Sequence, residues 1–234
     1  FYGNTTRLVI TPITAKCQLA LVSAMRYCVP TVCIGKSGWG KASLVQDMSS
    51  LLGNVYISCT LSHATTVLEL KSLLCGICSL GAWGCLKRFA SLRKGVLAII
   101  AETIGTLQNA ATAGLAAANV NGTLCALSYG WGIHFTASPI KMRNIGMSPS
   151  LRSLLRLVQF QVPEEQMILQ ALLISFGYMN PSHLSRLLAA FLRKARLVFL
   201  KLDSIFSLRL LKKVLYNIQR YPRSLKTEMD EEKV

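Results

Sequence analysis

The stretch Gly35-Lys36-Ser37-Gly38-Trp39-Gly40-Lys41-Ala42 constrains this chain more than any other. It is a G-x-x-x-x-G-K loop set between a short apolar run, Thr31 to Ile34, and a helix-forming segment, Ala42 to Leu52. Strand, glycine loop and helix in that order make a phosphate cradle: the glycines let backbone N–H groups turn inward, the helix N-terminus adds partial positive charge, and Lys41 reaches the outer phosphates. One position departs from the pattern. The loop ordinarily ends in Ser or Thr, whose hydroxyl holds Mg²⁺, and here that place is Ala42, with Ser43 one residue late and about 100° further round the helix. The expected site is therefore Gly35, Gly38, Gly40, Lys41, Ala42 and Ser43 around a nucleotide, ATP or ADP, with the metal handle missing and no metal held. The alternative is a glycine-rich turn without a ligand. Trp39 favours an empty pocket, since a bulky indole in the loop would crowd the phosphates.

A chain of 234 residues can bury one large core, or a large and a small one. It opens on Phe1 without an initiator Met, so we expect a piece of something longer. The apolar fraction is 52%, and Thr103 to Ile140 contains no Asp, Glu, Lys or Arg. That span is interrupted by Asn109, Gly114, Asn119, Asn121, Gly122 and Gly130, unlike a bilayer-spanning helix of about 20 apolar residues. A buried sheet with covering helices is expected, with no membrane contact. No secretory signal with a basic start and a small-residue cleavage site is recognisable, and the cysteines are expected to be the reduced thiols of an intracellular protein.

The net charge of +16 arises largely from a shortage of acids. Before Glu228 they are Asp47, Glu69, Glu102, Glu164, Glu165 and Asp203, and none ends an apolar strand-like run. Metal-assisted hydrolysis needs a carboxylate there to hold the cation or activate water. The cations are spread over helical segments without interleaved aromatics, so a solvated face or a protein partner is expected rather than nucleic acid. Eight cysteines, Cys17, Cys28, Cys33, Cys59, Cys75, Cys78, Cys85 and Cys125, fall mostly in apolar runs and read as buried reduced thiols. Cys75-Gly-Ile-Cys78 has no second pair or His at zinc spacing.

Taken in order, Tyr2 to Thr14 reads as an extended arm, and Ala15 to Tyr27 as a helix. The strand Thr31–Ile34, the loop and the helix Ala42–Leu52 follow. Asn54–Ser58 is a second strand, His63–Ser79 a helix by its apolar spacing, Ala82–Leu86 a third strand and Lys94–Ala113 a helix. Asn121-Gly122 signals a hairpin, after which Leu124–Tyr129 and Gly132–Ala137 are strand-like. Pro149–Arg156 is a short helix and Leu157–Val162 a last strand, stopped by Pro163. Helices alone follow, over Glu164–Phe176, Ser182–Leu200 and Phe206–Arg220, with a charged tail from Lys226. Alternating strands and helices imply an α/β fold with a mostly parallel, helix-covered sheet. The expected organisation is an N-terminal arm and helix over 1–28, a large α/β subdomain over 29–163, a helical small subdomain over 164–225 and the tail 226–234.

Several stretches are similar to one family. Tyr2 to Cys17, with Gly3-Asn4 and Arg7-Leu-Val-Ile-Thr-Pro-Ile-Thr14, resembles the opening of the first AAA+ module of dynein heavy chains, and Gly81-Ala-Trp-Gly-Cys85 resembles that module's Walker B strand. Leu107-Gln108, Gly132-Ile133, Thr136, Pro139 and Val162-Pro163 keep the later landmarks in order, so the resemblance covers essentially the whole chain. It implies a P-loop module with a small all-helical lid, adjacent AAA+ modules in the same longer chain, and dynein, axonemal or microtubule-associated partners. The setting implied is the cytoplasm, the cytoskeleton or the axoneme of a cilium or flagellum.

The departures from the family define the expected chemistry. Where the dynein pattern continues Phe-Asp-Glu-Phe-Asn-Arg, this chain has Leu86-Lys87-Arg88-Phe89-Ala90-Ser91. Lys87 thus stands for the Mg²⁺-binding Asp, and Arg88 for the Glu that activates water. The sensor Asn is Ser138. Arg156 matches the arginine that faces a neighbouring module's nucleotide, and Arg209 matches the sensor arginine of the lid. These substitutions imply a pseudo-ATPase of structural or regulatory role, able to bind nucleotide without hydrolysing it. The alternatives are an active motor ATPase using displaced residues such as Ser43 and Glu102, and a basic nucleic-acid-binding module.

Overall fold

The computed structural model describes residues 7–162, 164–198 and 208–219. They divide into two compact units. The first comprises Thr14 to Gln161 with the chain up to Leu8, and the second comprises Val9–Ile13 and the chain from Val162.

The first unit contains α1 (Pro12–Arg26, whose first two residues fall in the other unit), β1 (Thr31–Ile34), α2 (Lys41–Leu52), β2 (Tyr56–Thr60), α3 (Val67–Leu80) and β3 (Trp83–Lys87). A turn of 3₁₀ helix over Phe89–Ser91 leads to α4 (Lys94–Thr112), the strands β4 (Ala117–Val120) and β5 (Thr123–Ala126), and β6 (Gly132–Ala137). α5 (Pro139–Asn144), α6 (Pro149–Leu154) and β7 (Arg156–Gln159) complete it. Five strands form one sheet in the order β2-β3-β6-β1-β7, every pair parallel. β4 and β5 make a separate antiparallel hairpin. This is the expected α/β architecture.

Side-chain alternation assigns the two faces of the sheet. Val32, Leu86 and Phe135 point to a core built with α3, α4 and α6, in which the Phe89 and Phe135 rings lie 4.5 Å apart. Their neighbours Cys33, Trp83, Cys85 and Val158 point the other way, into a core shared with Cys17 and Leu21 of α1 and Leu44, Val45 and Met48 of α2. All six residues of β6 are buried, as a central parallel strand covered on both faces requires. Burying one such phenylalanine or leucine stabilises the fold by about 1.5–3 kcal/mol.

Local chemistry sets the element ends. Thr66 and Glu69 form a reciprocal capping box at the start of α3. Gly40 and Gly53, both left-handed, bracket α2. Asn121 and Gly122 have φ of 50° and 87°, the paired positive angles of a type I′ hairpin turn. The strand before this turn, β4, escapes a sequence reading because Ala117-Ala-Asn-Val120 carries little strand-forming character.

Several boundaries differ from expectation, among them that of α3, which starts at Val67, four residues after His63, beyond a turn at 63–64. α1 starts at Pro12, not Ala15: proline at the first helical position loses no hydrogen bond, because that N–H has no helical acceptor. β2 starts two residues late, at Tyr56. Arg156 does not end the short helix but opens β7, since Leu155 is extended and the Arg156 N–H donates to Pro30 O at 2.9 Å, drawing the chain into the sheet. α5, which begins on Pro139 after Ser138, was not anticipated.

The second unit contains α7 (Glu165–Ser175), α8 (Pro181–Val198) and α9 (Leu208–Gln219). Leu169, Leu173, Leu184, Leu192 and Leu215 form its core. Arg196 holds Glu165 with two bonds, at 2.6 and 3.2 Å. Such a fork fixes the relative placement of α7 and α8 more tightly than a single-point ion pair.

Candidate nucleotide site

β1 ends at Ile34, and the chain turns through Gly35 to Gly40 into α2. Gly35 is buried, its N–H donating to Ala137 O at 3.2 Å, so the loop is hung from the end of β6. A Cβ at Gly35 would lie 3.0 Å from Phe160 Cβ and 3.1 Å from Trp39 Cε3, which reserves the position for glycine. Gly38 and Gly40 take φ of 89° and 79°, a conformation costly for residues with a side chain. With glycine at its cap, α2 has no side-chain cap and no acid in its first turn. Its leading N–H groups therefore keep the positive end of the helix dipole uncompensated by any side chain.

Trp39 is half-buried. Its indole turns down onto Gly35 and joins the core of Cys17, Cys33, Leu44 and Phe160. The Lys41 Nζ donates to Gly35 O and Lys36 O, each at 2.6 Å, and so ties the two ends of the loop together. Partial burial lowers the Lys41 pKa from the ordinary lysine value. Ala42 is half-buried against the α1–α2 core, and Ser43 is exposed on the solvent side of α2.

β6 lies next to β1, and β3 next to β6. The register pairs Cys33 with Thr136, and Leu86 with Phe135, so Lys87 comes level with Thr136 at the same end of the sheet as the loop. Two strand spacings, about 10 Å, separate it from β1. Lys87 is half-buried and alternates onto the face of Cys85 and Trp83, the face that α2 covers. Arg88 is exposed, with a left-handed φ of 62°. Ser138 caps α5 just beyond β6 without a side-chain bond to its backbone. The loop glycines, Lys41, Lys87, Arg88 and Ser138 are thus gathered at one end of the sheet. Arg156 is exposed at the opposite end of β7, beside Thr31. Arg209 falls on α9, and its side chain lies outside the described residues.

Two buried thiols connect the cations. Burial pushes Cys33 up to about 12, with Cys85 and Cys17 adding to the rise and Lys41 opposing it. Burial also raises Cys85, against a hydrogen bond from Tyr56 and the charge of Lys87. One ammonium acts on each of the two thiols, and Cys85 acts on Cys33.

Only three acids precede Glu164. Asp47 on α2 accepts from Arg7 Nε and the Leu8 N–H, both at 3.1 Å. Glu69 closes the α3 capping box, and Glu102 is exposed on α4, across the sheet from α2. Asp47 and Glu102 lie partway along α2 and α4, and Glu69, in the first turn of α3, is at the loop end of the sheet but on the face opposite α2, held in its capping box. The donor set beside the loop is backbone amides, lysine and arginine, which fits a polyphosphate and does not fit a divalent cation that needs anionic oxygens.

Beneath this edge sits a histidine that sequence reasoning passed over. His134 is buried in β6, its Nδ1 2.7 Å from Thr31 Oγ1 and its ring 4.6 Å from that of Trp83. Its Nε2 has no hydrogen-bond partner, and desolvation lowers its pKa to about 3. A polar residue inside an otherwise uncharged apolar run was the available signal.

A family model described as "Hydrolytic ATP binding site of dynein motor region" matches residues 1–234. Dynein axonemal heavy chain 2 of Homo sapiens is 29% identical over 180 residues, which are 77% of this chain and 4% of that protein. Cytoplasmic dynein 2 heavy chain 1 of Mus musculus is 29% identical over 230 residues, 97% of this chain and 5% of that protein. The chain therefore spans about a twentieth of the length of the relatives it matches. With a glycine loop between β1 and α2 in a parallel sheet and a match along its full length, the chain belongs to the family of the hydrolytic ATP-binding site of the dynein motor region.

Proposed function

We propose that this chain is an AAA+ module of a dynein heavy-chain-like protein that binds ATP or ADP and does not hydrolyse it. The observation carrying this reading is the end of β3. The strand runs out into Lys87 and Arg88, and no carboxylate of the unit lies beside the loop. An ammonium about 4 Å from a divalent cation costs on the order of 8 kcal/mol at an effective dielectric near 20. Ala42 supplies no oxygen in compensation. Without a carboxylate to orient water, the general-base contribution, worth about 10²–10⁴ in rate, is lost as well.

In this reading Gly35, Gly38, Gly40, Lys41, Ala42 and Ser43 surround the phosphates, Ser138 stands in the sensor position, and Arg209 belongs to a lid over 164–225 that follows a large subdomain over 29–163. Arg156 reaches toward a neighbouring module of the same longer chain. The names of the relatives support a setting in the cytoplasm, the cytoskeleton or the axoneme of a cilium or flagellum, with dynein or microtubule-associated partners and a structural or regulatory role. Among the described residues no helix is long and apolar enough to cross a membrane. A motor ATPase built on displaced residues gains no support, because Ser43 faces solvent and Glu102 lies across the sheet.

The test is Mg²⁺-dependent phosphate release by the full chain, compared with a Lys87→Asp, Arg88→Glu, Ala42→Thr triple variant. The unmodified chain is expected at background and the variant above it. Turnover at a motor-like rate in the unmodified chain, abolished by Lys41→Ala, would overturn the reading.

A further inference from the structure

We propose that the loop takes its nucleotide as the metal-free polyanion, with Lys87 standing where a divalent cation would otherwise neutralise the phosphates. The inference rests on the nucleotide-binding reading above and specifies the ionic form of the ligand.

Its first support is placement. Lys87 comes level with Thr136, and Thr136 with Cys33, one residue before the end of β1. Lys87 shares the α2 face with Cys85 and Cys33. The loop and its helix leave from that edge, so a group bound at the α2 N-terminus has Lys41 on one side and the end of β3 on the other. The effects of Lys41 on Cys33 and of Lys87 on Cys85 agree with two ammonium groups over one face.

Charge is the second support. The ammonium of Lys41 is already shared between two loop carbonyls, and its partial burial disfavours the charged form. A fully ionised triphosphate needs more positive charge than this one group and the helix dipole can offer. In ordinary P-loop sites the metal supplies the difference. Here the positions that would hold the metal carry positive charge themselves, and every acid of the unit is engaged or placed elsewhere. Mg²⁺ would arrive with two charges that Lys87 repels and would remove two from the ligand that Lys87 attracts. Its effect on affinity is therefore inverted.

The experiment is titration calorimetry of the full chain with ATP, once in excess EDTA and once in excess Mg²⁺. Lys41→Ala is the reference for binding elsewhere, and thermal melting checks that each variant is folded. ATP is expected to bind about tenfold or more tightly in EDTA than in Mg²⁺. Lys87→Gln should weaken binding in EDTA by about tenfold, the loss of one charge-assisted contact, while Lys87→Asp should reverse the preference. Binding that requires Mg²⁺ in the unmodified chain would overturn the metal-free inference and leave nucleotide binding standing. Absence of Lys41-dependent binding in both conditions would overturn both. Equal binding with and without Mg²⁺, unaffected by Lys87→Gln, would remove Lys87 from the site.

Discussion

Thr31 Oγ1 and His134 Nδ1 meet at 2.7 Å across the seam between β1 and β6, joining residues 103 positions apart in the middle of the sheet. The imidazole is buried and neutral, with the Trp83 ring against it and Cys85 as its register partner on the other side. In the unfolded chain it titrates near 6.5, whereas in the fold its pKa is about 3. Between these values the unfolded state binds the extra proton, so acid favours unfolding.

The His134 contribution to stability should therefore be fully present above about pH 6.5 and shrink as pH falls toward 3, with a slope of up to about 1.4 kcal/mol per pH unit. His134→Gln should flatten that part of the curve whatever its effect on stability at neutral pH. Thermal melting of both proteins from pH 4 to 7 measures the two slopes, and equal slopes would exclude His134 as the titrating group.

Gly132→Ala should destabilise the first unit by about 1–3 kcal/mol, the usual cost of forcing a group into a filled core. A Cβ there would lie 2.7 Å from His134 Nε2 and 3.3 Å from Trp83 Nε1, and both rings are packed in place. At the neighbouring Gly84 a Cβ would lie 2.3 Å from Ile77 Cδ1 and 3.1 Å from its Cγ1, and Ile77 is fully buried, so Gly84→Ala should destabilise the unit as well. Urea midpoints of both alanine variants should fall below that of the unmodified chain, and an unchanged midpoint for Gly132→Ala would mean that the two rings can give way.

Arg88 holds a left-handed backbone at the end of β3, with φ of 62° and ψ of 38°. For an arginine this costs about 1–2 kcal/mol, less for asparagine. Arg88→Asn should therefore raise stability, by up to about 1 kcal/mol, whereas Arg88→Ala should not. Chemical denaturation separates the two variants, and a gain for alanine equal to that for asparagine would mean that charge, not backbone conformation, is the source.

Much of the architecture is legible because it is written locally. The apolar run Thr31–Ile34, the glycines after it and the Asn121-Gly122 turn each dictate a conformation through a few adjacent residues. What the sequence hides is decided at a distance. Arg156 belongs to a strand only because Pro30 offers a carbonyl to its N–H, and β4 exists because β5 pairs with it. His134 looks like a stray polar residue until Thr31 and Trp83 are brought around it. At the site, the reading of Lys87 and Arg88 rests on the resemblance of one strand to the dynein pattern, but the position of that strand relative to the loop rests on sheet order, which periodicity cannot supply.

The indole under Gly35 has a wider consequence. Wedged between the loop and the end of β7, Trp39 acts as a keel: the loop acquires its curvature when the core forms, before any visitor arrives. Little ordering entropy is then left to spend if a polyanion docks, and a bulky side chain in an unspecified slot of the motif becomes the source of that rigidity.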